Sequence, residues 1–333
     1  MAGASVPEGE ADPTLMHKDR SVGLVIFGVL QILVGVCCAA LVPLSLLAQH
    51  LGTIGGASSA DLRRAIPTVV VYAALATAFV WIGVGSVRAR RWARELSLSL
   101  SWVWFLTGVC SLILAWLLLP SVLGEVAGEG GFSHEVVVLV TVATTAVLGV
   151  LYVLLPGACV LFFRSPDVAA TCRARDPGRQ WTDDLSQRLL TLILVWALAA
   201  VSVLMMPAYN FVVPFFGVVL AGSAGAIVWL VILIGCVALV WGSVRRQPWA
   251  WWGAMTAVFL AGVSSVLTSL KVETSEILRA MDLPGDQADL LTAAMTADRW
   301  LVALFWIAAW GSFLAYLATL RRFFIARPAD ADG

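Results

Sequence analysis

Few residues of this chain have the type and spacing that chemistry requires. The 333 residues include three histidines, and His134-Glu135 opens like the motif in which two histidines on a helix bind zinc. The fifth position of that motif is Val138, so the second zinc ligand is missing. A metal site built from His50, His134 and nearby acids would need long loops to converge. We therefore expect no metal ion.

The cysteines and the paired aspartates do not define a site either. The six cysteines include no CxxC spacing, so neither a disulfide framework nor a zinc site is indicated. Asp183-Asp184 is followed by Leu185-Ser186-Gln187, which is not the spacing of a magnesium–diphosphate motif. Asp184 and Gln187 fit a capped helix start instead. The sequence predicts no catalytic residue and no cofactor, which favours a non-enzymatic protein.

The elements that carry these residues are strongly apolar. Hydrophobic residues make up 60% of the chain and charged residues 13%, against about 25% charged in an average soluble domain. Mean hydropathy is +0.92. This composition predicts an all-α integral membrane protein. The net charge of zero gives no indication of a nucleic-acid partner, and the excess of arginine over lysine is associated with bacterial coding, hence with a bacterial inner membrane.

Charge-free stretches locate the membrane spans, because a span needs about 20 apolar residues and a central charge costs about 2.5–3.5 kcal/mol. The first stretch is one span, since 49–53 and 55–59 have the composition of loops. The stretch 189–244 would form a helix of about 84 Å and must turn near Pro207 and Pro214. Eight transmembrane helices result. The charge-free stretches are 21–60, 65–87, 96–124, 136–163, 189–244, 247–270 and 300–320.

The basic residues indicate the orientation. With the N-terminus inside, 16 of the 21 basic residues fall on the cytoplasmic side, whereas the acids divide 11 to 10. A bias in arginine and lysine without a bias in the acids is the positive-inside pattern. We expect a multi-pass protein of the cell membrane with both termini in the cytoplasm. The basic residues predicted outside are Arg63, Arg64, Lys271, Arg279 and Arg299.

The chain also shows an internal duplication. When the sequence is aligned with itself so that Gly85 meets Gly242, Gly85-Ser86-Val87-Arg88 matches Gly242-Ser243-Val244-Arg245, and Trp92-Ala93 matches Trp249-Ala250. We predict two tandem four-helix repeats, 17–166 and 182–328. Their pseudo-twofold axis should run along the membrane normal, because an even number of spans gives both repeats one orientation. Residues 1–16 are predicted to be a disordered tail, and 167–181 a cytoplasmic linker.

The linker carries a short resemblance to other proteins. It runs from Phe163-Arg164-Ser165-Pro166-Asp167 to Trp181-Thr182-Asp183 and resembles linkers of uncharacterised bacterial polytopic membrane proteins. In those linkers a basic residue and prolines follow the Trp-Thr-Asp, whereas Asp184-Leu185-Ser186 follows here. The resemblance is confined to 163–184 and implies no activity.

Two groups of residues are candidates for contacts. Cytoplasmic arginines attract anionic lipid at about 1 kcal/mol each, although orientation and packing alone also explain them. Small residues at every fourth position of spans six and seven predict close helix packing. The candidate lipid contacts are Arg88, Arg90, Arg91, Arg94, Arg245 and Arg246. The predicted packing residues are Gly217, Ala221, Gly225, Gly253, Ala257, Ala261 and Ser265.

The middle of the predicted spans contains no Asp, Glu, Lys, Arg or His, which argues against ion-coupled transport. Two functions stay open. One is the binding of a lipid, a hydrophobic molecule or a membrane-protein partner. The other is facilitated transport of a small uncharged or amphipathic substrate through the interface between the repeats. The sparse buried polar groups favour binding.

The longest outer loop, 271–299, has helical spacing of its apolar residues. Ile277, Leu278 and Met281 share one face, and Pro284-Gly285 separates this segment from a second amphipathic one. We expect two short helices that lie flat against the outer ends of the spans.

Overall fold

The computed structural model describes residues 18–54, 61–130, 134–282 and 299–325. Helix dominates, because a backbone in an apolar setting must satisfy its own polar groups. The helices are α1 (Ser21–Ile54), α2 (Asp61–Val87), α3 (Arg91–Gly130), α4 (His134–Gly149), α5 (Leu155–Arg164), α6 (Pro166–Arg175), α7 (Gln187–Val203), α8 (Gly222–Val244), α9 (Pro248–Lys271), α10 (Thr274–Ala280), α11 (Arg299–Thr319) and α12 (Arg322–Ile325).

Seven stretches of the described residues are helical, long and apolar enough to cross a membrane. Each of them overlaps a charge-free stretch of the sequence. One of them, Glu135–Arg164, comprises α4, a π-helical turn at Val150–Leu154 and α5. The apolar helix α7 is too short to count among them, because its 17 residues extend about 25 Å against a hydrocarbon core of about 30 Å. Seven spans are therefore supported, and the eighth stays a prediction.

Several predicted boundaries were wrong. α1 continues to Ile54 through residues 49–53, whose composition had indicated a loop. α7 begins at Gln187 with Ser186 as its N-cap, the Ser186 hydroxyl accepting from the Leu189 N–H, so Asp184 is not the cap. Residues 55–59 and the predicted disordered tail 1–16 lie outside the described residues.

The predicted turn inside 189–244 is confirmed and contains a β-hairpin. After α7 the chain forms a 3₁₀ turn at Met206–Tyr209 and then pairs β1 (Val213–Phe215) with β2 (Val218–Leu220). Phe216 and Gly217 connect the strands with φ of 49° and 89°, as a two-residue type I′ turn requires.

The hairpin corrects the small-residue stripe predicted on span six. Gly217 lies in the hairpin turn and Ala221 precedes α8, so the predicted helical stripe contains a single helical residue, Gly225. Gly225 still allows a close approach, since a Cβ there would lie 2.0 Å from the Phe211 carbonyl oxygen.

The first of the two predicted outer helices is present as α10. Leu278 is 4% exposed, and the Asn210 amide donates to the Ala280 carbonyl at 3.1 Å. α10 therefore packs against the segment that follows α7. The second predicted helix lies outside the described residues.

One end of the helical bundle is called the basic end below. It comprises the α2–α3 turn (88–90), the α8–α9 turn (245–247), α6 and the segment 176–186, which is called the linker from here on. The Arg91 N–H donates to Asp176, and the Arg246 guanidinium donates to the Asp184 carbonyl. The Tyr316 hydroxyl brings α11 to the same end through the Arg188 carbonyl, at 2.7 Å. These segments are the ones predicted to be cytoplasmic. Their orientation in a membrane stays a prediction.

The two aligned turns have one conformation. Ala89 and Arg246 occupy matching positions of the sequence alignment, and both have positive φ, 52° and 53°. The Ala89 N–H donates to the Ser86 carbonyl, and the Arg246 N–H donates to the Ser243 carbonyl. A Cβ on Gly85 would lie 2.7 Å from Ala93, and one on Gly242 would lie 2.7 Å from Ala250. Glycine is thus needed at corresponding points of both turns.

The side chains after these turns also correspond. Arg94 Nε donates to the Phe163 carbonyl at 3.0 Å, which joins α3 to α5. Trp251 Nε1 donates to the Leu317 carbonyl at 2.9 Å, which joins α9 to α11. Arg94 and Trp251 also occupy matching positions of the alignment.

Candidate functional site

The arginines predicted to contact lipid are mostly engaged with the linker. Arg90 pairs with Asp176 at 3.1 Å, and Arg91 pairs with Asp183 at 2.6 Å. Arg94 donates to the Phe163 carbonyl and pairs with Glu95 at 2.5 Å. These three side chains fasten the linker and α5 to the start of α3.

The other three arginines lie farther from acids. Arg245 stacks on Trp241, with 5.6 Å from its guanidinium carbon to the ring centroid. Arg246 donates to a backbone carbonyl, and Arg88 has no ion-pair partner among the described residues. The structure therefore brings Arg90, Arg91 and Arg94 together and leaves Arg88, Arg245 and Arg246 outside that group.

Asp176 is the residue of this network that the sequence did not single out. Its side chain is 5% exposed and accepts from the Arg90 guanidinium, the Arg91 N–H and the Gln180 amide. A buried carboxylate at a helix N-terminus with three donors is strongly held. The local signal in the sequence was Pro177, which directly follows Asp176 and indicates that the helix containing Arg175 ends there.

Buried hydroxyls join α3 to the helices on two sides. Ser97 accepts from the Gln31 amide at 2.9 Å and lies 3.4 Å from the Ser86 hydroxyl, linking α1, α2 and α3. Ser99 accepts from the Gln187 amide at 2.7 Å, linking α3 to α7. The serines of α3 alternate with leucines in the sequence. The residues that bury these serines and bond to them lie far away in the chain.

The hairpin is held on α9 by two hydroxyls. Ser264 accepts from the Phe216 N–H and donates to the Pro214 carbonyl, both at 3.0 Å. Thr268 accepts from the Gly217 N–H at 3.1 Å. These bonds satisfy backbone groups of the hairpin that α9 would otherwise leave unpaired.

The buried side of α9 differs from the predicted stripe of small residues. Ala254, Thr268 and Ser264 are buried, whereas Ala257 is exposed and Gly253, Ala261 and Ser265 are partly exposed. Close contact on α9 occurs at Gly253, where a Cβ would lie 3.3 Å from Leu239, and outside the stripe at Gly262, where a Cβ would lie 3.1 Å from Trp310.

Corresponding sides of α3 and α9 are covered differently. Ser97, Trp104 and Ser111 recur at heptad spacing and form one side of α3, called the α3 face below. The positions that match them in the sequence alignment, Ala254, Ala261 and Thr268, form the α9 face. Ser97 and Ala254 are both 1% exposed. Ser111 is exposed, whereas Thr268 is 3% exposed beneath the hairpin.

A small cavity lies at the basic end between α3, α6 and the linker. Its volume is about 70 Å³, and its lining is Arg91, Arg94, Glu95, Ala169, Cys172, Arg173 and Asp183. Burial raises the pKa of the Cys172 thiol to about 11, so Cys172 is a neutral thiol at physiological pH. In the part of the chain that the structure describes, no group of three His, Cys, Asp or Glu could hold a metal ion.

Among the described residues, seven helical stretches are long and apolar enough to span a membrane, and they indicate the class: a multi-pass α-helical membrane protein. No protein-family model matches it, and no curated protein or solved structure is significantly similar to it.

Proposed function

We propose that the chain is a non-enzymatic membrane protein of two tandem four-helix repeats whose first repeat binds a lipid or another hydrophobic molecule. The observation that carries this proposal is the difference between the α3 face and the α9 face. The second repeat covers its face with its own hairpin, whereas the first leaves Ser111 exposed.

Correspondences at one offset support the repeats. The turns at Ala89 and Arg246 share their backbone conformation, and the glycines before them make the same contacts. Arg94 and Trp251 bind carbonyls of the following span. If α7 and the 3₁₀ turn after it together cross the membrane beside α8, along which α7 packs, the eight predicted spans follow, and the even number places both termini on one side.

The core of each repeat supports the choice of the first as the binding half. Buried side chains of the second repeat extend from Leu189 at the basic end to Val203 and Ala303 near the other end. In the first repeat, the structure describes burial for 106–116 and 135–155, and within these two ranges only Gly108 is buried. The apolar surface left there suits acyl chains or a flat hydrophobic ligand.

The polar contacts favour binding over transport. The hydroxyl and amide network of Gln31, Ser86, Ser97, Ser99 and Gln187 lies toward the basic end and joins helices to each other. A transport route for a polar substrate would need polar groups that continue through the centre of the spans. The sequence places no Asp, Glu, Lys, Arg or His there.

Native mass spectrometry of the full chain in mild detergent tests the proposal. Wild type should retain a lipid or hydrophobic molecule in stoichiometric amount. Ser111→Trp should reduce that retention severalfold by filling the space above the α3 face. Ser312→Trp is the matched control, because Ser312 is exposed on α11 of the second repeat. No retained mass in wild type, or equal retention in both variants, would contradict the proposal.

A further inference from the structure

The cavity at the basic end has a lining suited to an anion. Three of its seven lining side chains are guanidinium groups, from Arg91, Arg94 and Arg173, and two are carboxylates, from Glu95 and Asp183. The lining therefore carries one net positive charge. One water needs about 10–15 Å³ of such space, so a cavity of about 70 Å³ admits a group of several heavy atoms.

Two of the arginines are fixed before any ligand arrives. Arg94 has a 14% exposed side chain and is held by the Phe163 carbonyl and by Glu95. Arg91 is 26% exposed and is held by Asp183 and the Gly178 carbonyl. Each guanidinium has five N–H donors, so both keep donors beyond these bonds.

Arg173 supplies the third guanidinium from a different element. It lies in the last turn of α6, is exposed, and has no ion-pair partner among the described residues. Its neighbour Arg175 pairs with Asp19 at 3.6 Å and does not line the cavity. Orientation in the membrane explains the charge of Arg173, but it does not explain a shared cavity with Arg91 and Arg94.

We propose that this cavity binds a phosphate group through Arg91, Arg94 and Arg173. Guanidinium forks match phosphate oxygens in pairs, and three forks from α3 and α6 surround a tetrahedral group better than a planar carboxylate. The phosphate belongs to a lipid headgroup or to a small soluble phosphate. The inference rests on the proposed function, since α3 also carries the open face, and it names the polar end of the ligand.

The test uses the full chain in nanodiscs of phosphatidylcholine. Short-chain phosphatidic acid is titrated in one arm and inorganic phosphate in the other, and binding is followed by calorimetry. Arg173→Gln should weaken binding about tenfold, as the loss of a charge-assisted contact does. Arg175→Gln, which removes the same charge from the same helix, should change it less than twofold.

The outcomes separate the sources and the alternatives. Binding of phosphatidic acid alone identifies a lipid headgroup, and Arg173-dependent binding of inorganic phosphate identifies a soluble ligand. Arg173→Lys, which keeps the charge and loses the fork, should fall between wild type and Arg173→Gln. No binding in either arm, or equal losses in the Arg173 and Arg175 variants, would overturn the proposal. Retention of a hydrophobic molecule that only Ser111→Trp reduces would then leave the proposed function standing.

Discussion

The two halves of the chain differ in how far their buried core extends along the helices. The second half forms a continuous core in which Leu192, Leu239, Val258 and Leu317 meet across α7, α8, α9 and α11. Among the first-half residues whose burial the structure describes, the main cluster lies at the basic end, around Leu24, Phe163, Val168 and Cys172. Beyond that cluster its helices pack mainly in pairs, α1 along α2 and α3 along α4 and α5.

This difference follows from the length of one helix in each half. α1 is a helix of 34 residues, so one helix takes up most of the described chain before α2. α7 ends after 17 residues, and the chain that follows becomes the hairpin on α9. A helix that ends early thus leaves chain that covers a neighbouring helix, as the segment after α7 covers α9.

The largest expected effect comes from detaching the hairpin. In the double variant Ser264→Ala, Thr268→Ala, the Phe216 and Gly217 N–H groups and the Pro214 carbonyl lose their partners. At about 0.5–1.5 kcal/mol for each lost hydrogen bond, the three bonds together give an expected loss of about 1.5–4.5 kcal/mol. Thermal unfolding in detergent measures it. Ser111→Ala is the control in the first half and should change stability by less than about 0.5 kcal/mol, and a similar loss there would break the comparison.

Close backbone contact in the second half gives the next effect. Gly225→Ala places a Cβ 2.0 Å from the Phe211 carbonyl oxygen and should cost about 1–3 kcal/mol through overpacking. Gly235→Ala on the same helix meets nothing within 4 Å and should be neutral or stabilising by up to about 1 kcal/mol. Equal unfolding temperatures for the two variants would show that α8 does not pack against the 3₁₀ segment as described.

The hydrogen bonds of Asp176 at the basic end should stabilise chiefly the first half of the chain. Asp176→Asn removes a carboxylate that binds Arg90, the Arg91 N–H and Gln180, and we expect a loss of about 1–2 kcal/mol. Asp184→Asn is the matched control, since its pair with Arg179 is largely exposed and such pairs contribute little to stability. Hydrogen exchange should show the loss in α3, α5 and α6. Faster exchange confined to α9 and α11 would contradict the assignment.

The smallest effect concerns Cys172. Burial raises the pKa of its thiol from 9.0 to about 11, so the folded chain keeps a proton that the unfolded chain releases. Stability should therefore fall as pH rises from about 9 to about 11, and it should not respond to Cys172 below that window. Unfolding measured against pH should be flatter in Cys172→Ala. The same slope in both proteins would show that the thiol is not buried.

The sequence predicted the spans far better than their partners. Runs without charge locate helices because the cost of a central charge is local information, and Pro207 and Pro214 placed the turn after α7. The hairpin was missed because Gly217 and Ala221 sit in an unbroken apolar run, where small residues fit a helix equally well. What fixes the hairpin is the pair of hydroxyls on Ser264 and Thr268, which lie far along the chain on another helix.

The candidate site shows the same limit. The arginines near the α2–α3 turn were recognisable from positive charge alone, but charge does not say which of them face acids. Asp176 and Asp183 bind Arg90 and Arg91 from a linker three helices farther along the chain. Arg173 was not singled out, because only the fold places α6 beside the start of α3.

A cryo-electron-microscopy map of the full chain in lipid nanodiscs, with a bound antibody fragment as a size marker, tests the central claim most directly. We expect ordered, elongated non-protein density against the α3 face near Ser111, and the hairpin in the corresponding place against Thr268. A map in which α1 and α2 close over Ser111, with no density between them and α3, would contradict the claim.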